Sequence, residues 1–417
     1  MTEDARHREV VCPFCGLGCD DLTLSPAGGG FAVDAGGCPI SAARFALVVP
    51  PAAGARVAGA EVAPGQAIAR AAALLAASRL PLVGGLAADR AGLSAALALA
   101  ERTGAVVDHS GAAALHRNLP AARETGWMVT TLSEVRNRCD LFLALGPDPA
   151  TAFPRLAERA LPVAPTLFSA VPLARPRLRI GPGAGAEGGI ECPPGRLLEA
   201  VTLLRAVLGG RLPPSAARAG WDLAPFETLT ERLRAATYPV LAWNAGAMDF
   251  PGADLVILGA SEIVRDLNEK GRAAALPLGG AENLVGAAQI ALWQAGYPLR
   301  HAYGPGGIEH DPRRFETARL LSSGEADALV WIAALRGEVT LPETAVPTIL
   351  LAPPGLSLPR EPDVFLPVGT PGIDHAGLVF RSDGVVSLPL RRLRETALPS
   401  VAQTLAAVIA ALPGASS

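Results

Sequence analysis

Lysine is almost missing from this chain: Lys270 is the only one, and the other basic residues are arginines. We read that bias as a property of the coding sequence and draw no function from it. Charge is scarce altogether, at 18% of 417 residues, and a net charge of −3 leaves no basic footprint for nucleic acid or an anionic membrane. No apolar run approaches the roughly 18–20 residues that cross a bilayer. Met1–Val10 is charged and lacks the apolar stretch of a secretory signal. Together these absences predict a soluble, cytoplasmic protein with no nucleic-acid or membrane partner. Cysteine is sparse as well. Six in so long a chain exclude a disulfide scaffold, and in a reducing compartment clustered cysteines point to a metal site.

Apolar residues, by contrast, make up half of the chain, and glycine and proline are abundant. That describes well-buried structure with many short loops. The length exceeds one ordinary core and predicts two or three lobes. From about residue 60, helical stretches alternate with short apolar runs. Gly65–Ser78 reads as a helix, Pro81–Gly85 as a buried strand, Arg90–Thr103 as a helix and Ala105–His109 as a strand. The pattern continues through Ser133–Arg138, Leu141–Gly146, Ala152–Ala160 and Thr166–Ala170. Leu173–Pro194, rich in Pro, Gly and Arg, reads as irregular or edge structure. Helices follow at Gly195–Leu208 and Phe226–Thr237, and Tyr238–Asn244 opens a second series. That series includes a helix at Glu282–Ala295, strands at Ala326–Ala334 and Pro347–Leu351, and a closing helix at Ser400–Leu412. Such alternation predicts α/β lobes with mostly parallel sheets.

The chemistry is concentrated near the N-terminus. In VVCPFCGLGCDDL, Cys12, Cys15 and Cys19 are spaced C-x2-C-x3-C, and Cys38 follows in GGCPISAARF. Between them Asp20–Leu24, a Pro-Ala-Gly-Gly-Gly turn and Phe31–Asp34 predict a hairpin that folds the fourth cysteine back onto the first three. Four soft thiolates so gathered can hold a [4Fe–4S] cluster or a tetrahedral zinc. The three-plus-one grouping favours iron–sulfur, because structural zinc usually takes two pairs; cysteines kept as packing are the third reading. Cys139 and Cys192 stand alone and read as small core residues. Gly146-Pro147-Asp148 falls at the carboxyl end of a strand, where α/β sheets bind ligands, which makes Gly146 and Asp148 cofactor-binding candidates. Gly84-Gly85, Gly279-Gly280 and Gly304–Gly307 match no fixed phosphate fingerprint and read as turns. Asp374-His375 reads as a loop pair.

C-x2-C-x3-C with a distant fourth cysteine, opening a long α/β chain, resembles the molybdopterin oxidoreductases, and CPFCGLGCDD is closer still to the B subunits of formylmethanofuran dehydrogenase. TGAVVDHSGAAALH (103–116), TLSEVRNRCDLFLALGPDPATAFPRL (131–156), ENLVGAAQIALWQAGYP (282–298) and VFLPVGTPGIDHAGLVFRSDGVV (364–386) match in the same order. The resemblance implies a molybdopterin-oxidoreductase-like α/β fold without the fourth, barrel domain. It implies a small cysteine lobe at 1–58 with 366–398 packing back on it. A discontinuous α/β lobe would take 59–111 and 235–365, an inserted α/β lobe 112–234, and a terminal helix 399–417.

The resemblance also shows what is gone. Where the dehydrogenase carries a thiolate or selenolate followed by histidine, this chain aligns Leu115-His116, and leucine has no donor atom. Where an arginine meets the anionic substrate, HAYGPGG (301–307) offers Tyr303, which supplies no cation. Arg44 stands near the place of the basic residue that bridges cluster and pterin. With the metal-binding and substrate-binding positions both changed, the resemblance implies no catalytic residue here and no tungsto- or molybdopterin. It matches the B subunit of the bacterial formyltransferase/hydrolase complex, which converts formyl-tetrahydromethanopterin to formate through a formyl-furan carrier in methylotrophic one-carbon metabolism. The implied partners are an amidohydrolase-like A subunit, a C subunit and a formyltransferase D subunit. The alternative is an active tungsten or molybdenum dehydrogenase B subunit with pyranopterin and [4Fe–4S].

Overall fold

A computed structural model describes residues 6–48, 54–211 and 220–414. The chain divides into two units, Met1–Ala112 with Gly280–Ser417, and Ala113–Gly279.

In the first unit a nine-stranded sheet carries the core. Its order is Gly307–His310, His301–Gly304, Val106–Val107, Pro81–Ala87, Ala328–Ala333, Thr348–Ala352, Val364–Pro367, Ala55–Val57 and Ala60–Val62. The central five pair in parallel and the outer strands antiparallel. Strands such as PLVGGLA, ALVWIA and TILLA are buried at every position, as expected of a parallel sheet covered on both faces. Helix Arg90–Thr103 starts where the Asp89 carboxylate accepts the Gly92 N–H (3.1 Å) and stops at left-handed Gly104. The helix Val401–Ala411, closed by a Ser400–Gln403 capping box, packs on it and on Pro64–Ala77.

A small three-stranded antiparallel sheet, His7–Val10, Leu22–Ala27 and Gly30–Ala35, carries the cysteines. Its hairpin turns at Gly28-Gly29, both at positive φ, as a two-residue loop requires. Segments near the C-terminus hold this sheet and its loop. The Ser382 N–H donates to the Gly16 carbonyl (2.7 Å), and Arg394 Nη1 donates to the Gly29 carbonyl (2.9 Å).

The second unit is a five-stranded, all-parallel sheet in the order Ile190–Glu191, Arg177–Gly181, Leu141–Leu145, Pro239–Asn244 and Ala274–Leu278. Two expectations are corrected here. Pro239–Asn244 and Ala274–Leu278 pair into this sheet, so the chain returns to the first unit at residue 280 and not at 235. The expected strand Thr166–Ala170 is instead part of a separate hairpin, Ala164–Thr166 and Ser169–Leu173, while Arg177–Gly181, within the stretch read as irregular, pairs beside Leu141–Leu145. Residues 178–181 are buried despite two neighbouring prolines, with Leu178 and Ile180 supplying one apolar face. Among the described residues no sheet closes on itself, and no helix is long and apolar enough to cross a membrane.

Candidate metal centre

Cys12, Cys15 and Cys19 lie on the loop between His7–Val10 and Leu22–Ala27, which closes through the Cys12 N–H donating to the Cys19 carbonyl (2.8 Å). All three are buried. Cys38 is half-buried at the N-cap of helix Pro39–Phe45; its sulfur accepts from the Ser41 N–H (3.5 Å), and Ser41 Oγ accepts from the Cys38 N–H (2.8 Å). Burial pushes the Cys12 thiol well above its ordinary range, and Cys15, Cys19 and Cys38 each push it further. Burial likewise raises Cys15, and Cys38 adds to it. Cys12 thus stands in a poorly solvated space within electrostatic reach of the other three. Cys12 and Cys15 therefore resist becoming thiolates unless a cationic centre compensates them, as a metal bound by cysteines would. Among the described residues no three His, Cys, Asp or Glu side chains gather closely enough to hold a single metal ion.

Tight backbone approach builds the hairpin. Gly36 sits at φ 71°, and a Cβ there would overlap the carbonyl oxygen of Asp21, which no rotamer can relieve. Gly36→Ala is expected to cost about 2 kcal/mol or more, read by the thermal midpoint. An unchanged midpoint would refute this account of the hairpin.

Arg44, on the helix that Cys38 caps, donates from Nη1 to the Leu335 carbonyl (2.8 Å) and lies over the Phe14 ring, 5.7 Å from its centroid. Burial lowers its pKa. Phe14 belongs to the cysteine loop, and its carbonyl accepts the Glu282 N–H (3.1 Å). The Glu282 carboxylate in turn accepts from Arg336 Nε (2.9 Å) and Nη2 (2.6 Å) and from Ser110 Oγ (3.2 Å). Buried His109 accepts the Gly111 N–H at Nδ1 (2.9 Å), which leaves Nε2–H to donate to the Glu282 carbonyl (3.3 Å). Burial pushes His109 down to about 4, so the ring is neutral. Sequence reasoning missed Glu282, Arg336 and His109. Spacing cannot join residues so far apart, and the one available signal was DHSG at the end of a strand.

The remaining candidates are dispersed. Tyr303, in the first unit, packs edge-on to His301 (5.3 Å), and burial pushes its phenol up to about 12. It is neither cation nor phenolate. In the second unit Leu115 and His116 stand on helix Ala112–Thr125, whose Arg117 donates to the Ala245 carbonyl (2.9 Å) and whose Asn118 accepts from Trp243 Nε1 (2.9 Å). Gly146, at φ 86°, ends strand Leu141–Leu145. Asp148 caps a single 3-10 turn by accepting the Ala150 N–H (2.9 Å). Cys139 and Cys192 are buried and donate to the carbonyls of Leu141 and Pro193. Burial raises them to about 12 and about 11. Asp374 is buried and holds its own loop, accepting from the Thr370 N–H (2.7 Å) and Arg394 Nε (2.6 Å).

An α/β chain with a cysteine loop at its head and parallel sheets behind it has the architecture of the molybdopterin oxidoreductases. Acetylene hydratase from Pelobacter acetylenicus shares that fold at TM-score 0.60 and 10% identity, over 97% of this chain and 69% of that one. Among proteins of known sequence, the B subunit of the formyltransferase/hydrolase complex Fhc of Methylorubrum extorquens is 32% identical over 319 residues, 75% of this chain and 84% of the relative. The B subunit of the tungsten-containing formylmethanofuran dehydrogenase 2 of Methanocaldococcus jannaschii is 27% identical over 409 residues, 91% of this chain and 92% of the relative. The crystal structure of the M. extorquens complex FhcABCD with methylofuran contains a chain that matches at TM-score 0.73 and 30% identity, over 85% of this chain and 97% of that one. No protein-family profile matches. The chain belongs to the B-subunit family of the formyltransferase/hydrolase complex, which is related to the B subunit of formylmethanofuran dehydrogenase.

Proposed function

We propose that this chain is a non-redox, structural B subunit of a cytoplasmic formyltransferase/hydrolase complex. That complex would convert formyl-tetrahydromethanopterin to formate through a formyl-furan carrier in one-carbon metabolism. Its partners would be the amidohydrolase-like A subunit, the C subunit and the formyltransferase D subunit, in line with the relative crystallised as FhcABCD with methylofuran. The observation that carries the reading is Leu115. A tungsten or molybdenum centre of the dehydrogenase type takes a protein sulfur or selenium at this place, and leucine offers none. Tyr303, a neutral phenol, adds the loss of a cation for an anionic substrate. The residues present therefore do not fit the pyranopterin metal centre, and no reaction step runs through it.

The cysteine site fits a cluster better. Cys12, Cys15, Cys19 and Cys38 would hold a [4Fe–4S] centre, which supplies one-electron transfer in redox enzymes. In a chain without a second redox centre the cluster would act as a staple, joining the N-terminal sheet to the helix that Cys38 caps. The desolvation of the Cys12 and Cys15 thiols supports this, since a bound metal compensates their thiolates.

Elemental analysis of the anaerobically purified complex tests both parts. About four irons per chain with neither tungsten nor molybdenum is the expected result. Stoichiometric tungsten or molybdenum would overturn the non-redox reading. A complex free of iron would overturn the cluster and leave a scaffold without one.

A further inference from the structure

Where the chain enters helix Leu284–Ala295, Glu282 (φ 63°) and Asn283 (φ 61°) are two consecutive left-handed residues, and neither is glycine. Such a pair persists only where its surroundings over-determine it, and strain of this kind gathers at functional sites. Asn283 is fixed by two buried bonds, Nδ2 to the Ala88 carbonyl and Oδ1 from the Phe380 N–H, each 2.9 Å. Glu282 is fixed differently. Its N–H goes to Phe14 in the cysteine loop, its carbonyl to His109 Nε2, and its carboxylate to Arg336 and to Ser110, the neighbour of His109. Three donors, two from Arg336 and one from Ser110, converge on the single oxygen Oε2, in an ion pair whose side chains are only 12% and 15% exposed.

Phe14 lies between Cys12 and Cys15, and the carbonyl that Glu282 holds is that of the peptide bond joining Phe14 to Cys15. We infer that Glu282 is a positioning residue for that segment: its backbone N–H pins the loop, and the Arg336–Ser110 clamp on its carboxylate keeps that N–H aimed. The left-handed backbone is what turns the N–H towards Phe14 while the carboxylate faces Arg336. The residue touches no sulfur and takes part in no reaction. Its effect is on how firmly Cys12 and Cys15 are held, and it rests on the cluster reading above only where iron is the readout.

The test compares Glu282→Ala, Glu282→Gln and Arg336→Met with the unaltered chain in the assembled complex. Iron release to a chelator is followed by the loss of visible absorbance. On the iron-free protein, alkylation of each cysteine is mapped by mass spectrometry. Loss of a residue that orients ligands costs roughly 10–100-fold in metal retention. Glu282→Ala is expected to release iron at least about tenfold faster, Glu282→Gln and Arg336→Met by smaller factors. In the iron-free protein Cys12 and Cys15 should be alkylated faster by a similar factor, with Cys139 and Cys192 unchanged. A general loss of stability of the first unit would instead speed Cys38 by the same factor, and that result overturns the inference. So do unaltered rates at Cys12 and Cys15. If the unaltered protein carries no iron, the cluster reading fails on its own and the alkylation map still decides the positioning role. Should Glu282→Ala not fold, Glu282→Gln, which keeps the side chain's length, is read in the same way.

Discussion

Replacing Arg300 with methionine is expected to remove about 3–5 kcal/mol from the stability of the chain, because it strands a carboxylate in the core. Asp108 is 2% exposed at the end of strand Val106–Val107. One of its oxygens faces Arg300 Nε (3.4 Å), and the other accepts from the Thr317 N–H (3.0 Å) and Oγ–H (2.8 Å). Arg300 also donates to the Pro312 carbonyl (2.7 Å) and to Glu316 (2.9 Å). Burial raises the Asp108 pKa, and Arg300 is the largest of the groups that oppose this. The ion pair thus offsets desolvation only in part, so removing one partner costs more than the pair contributes net. The sign with pH follows. Without Arg300 the folded pKa of Asp108 rises further above its unfolded value, so the deficit is smallest in acid and grows as pH rises from about 4. Urea unfolding at several pH values measures this, and Arg300→Met combined with Asp108→Asn should recover part of the loss. A deficit below about 1 kcal/mol, or one that grows in acid, would refute the argument.

Helix and strand alternation is legible because each element carries its own period. The bounds of Arg90–Thr103 can be read to the residue, and LFLAL, ALVWIA and TILLA are recognisable as fully buried strands. Which sheet a strand joins is not legible. Pro239–Asn244 has the same apolar run whichever sheet it enters, and register lies in pairing with Leu141–Leu145, about a hundred residues away. Arg177–Gly181 is hidden because arginines and prolines mask a two-residue apolar alternation. At the candidate metal centre the four cysteines can be named from spacing, as can Arg44 from the resemblance. The brace behind them cannot. Glu282 reads as the first residue of a helix, and only its positive φ takes it out of the helix and aims it at Phe14. Leu115 marks the opposite case: the identity of one side chain, without any geometry, excludes a metal ligand.

His109 gives the second large effect, and its direction is fixed by burial. The ring is enclosed and neutral, with both nitrogens committed, Nδ1 to the Gly111 N–H and Nε2–H to the Glu282 carbonyl. Burial lowers its pKa from 6.5 to about 4; Glu282 works against that shift and Arg336 with it. Below about pH 6.5 the unfolded chain takes up a proton that the folded chain refuses until about pH 4. Stability contributed by the neutral ring is therefore whole at neutral pH and falls steadily across that window, by a total on the order of 3 kcal/mol. Because His109 is bonded to the residue that holds Phe14, protonation should loosen the cysteine loop before it unfolds the unit. Urea unfolding between about pH 7 and pH 4 should show this acid slope in the unaltered chain. In His109→Gln, which keeps an acceptor and a donor but cannot charge, the slope should be shallower. Equal slopes in the two proteins would mean that His109 titrates normally and that its enclosure carries no energetic weight.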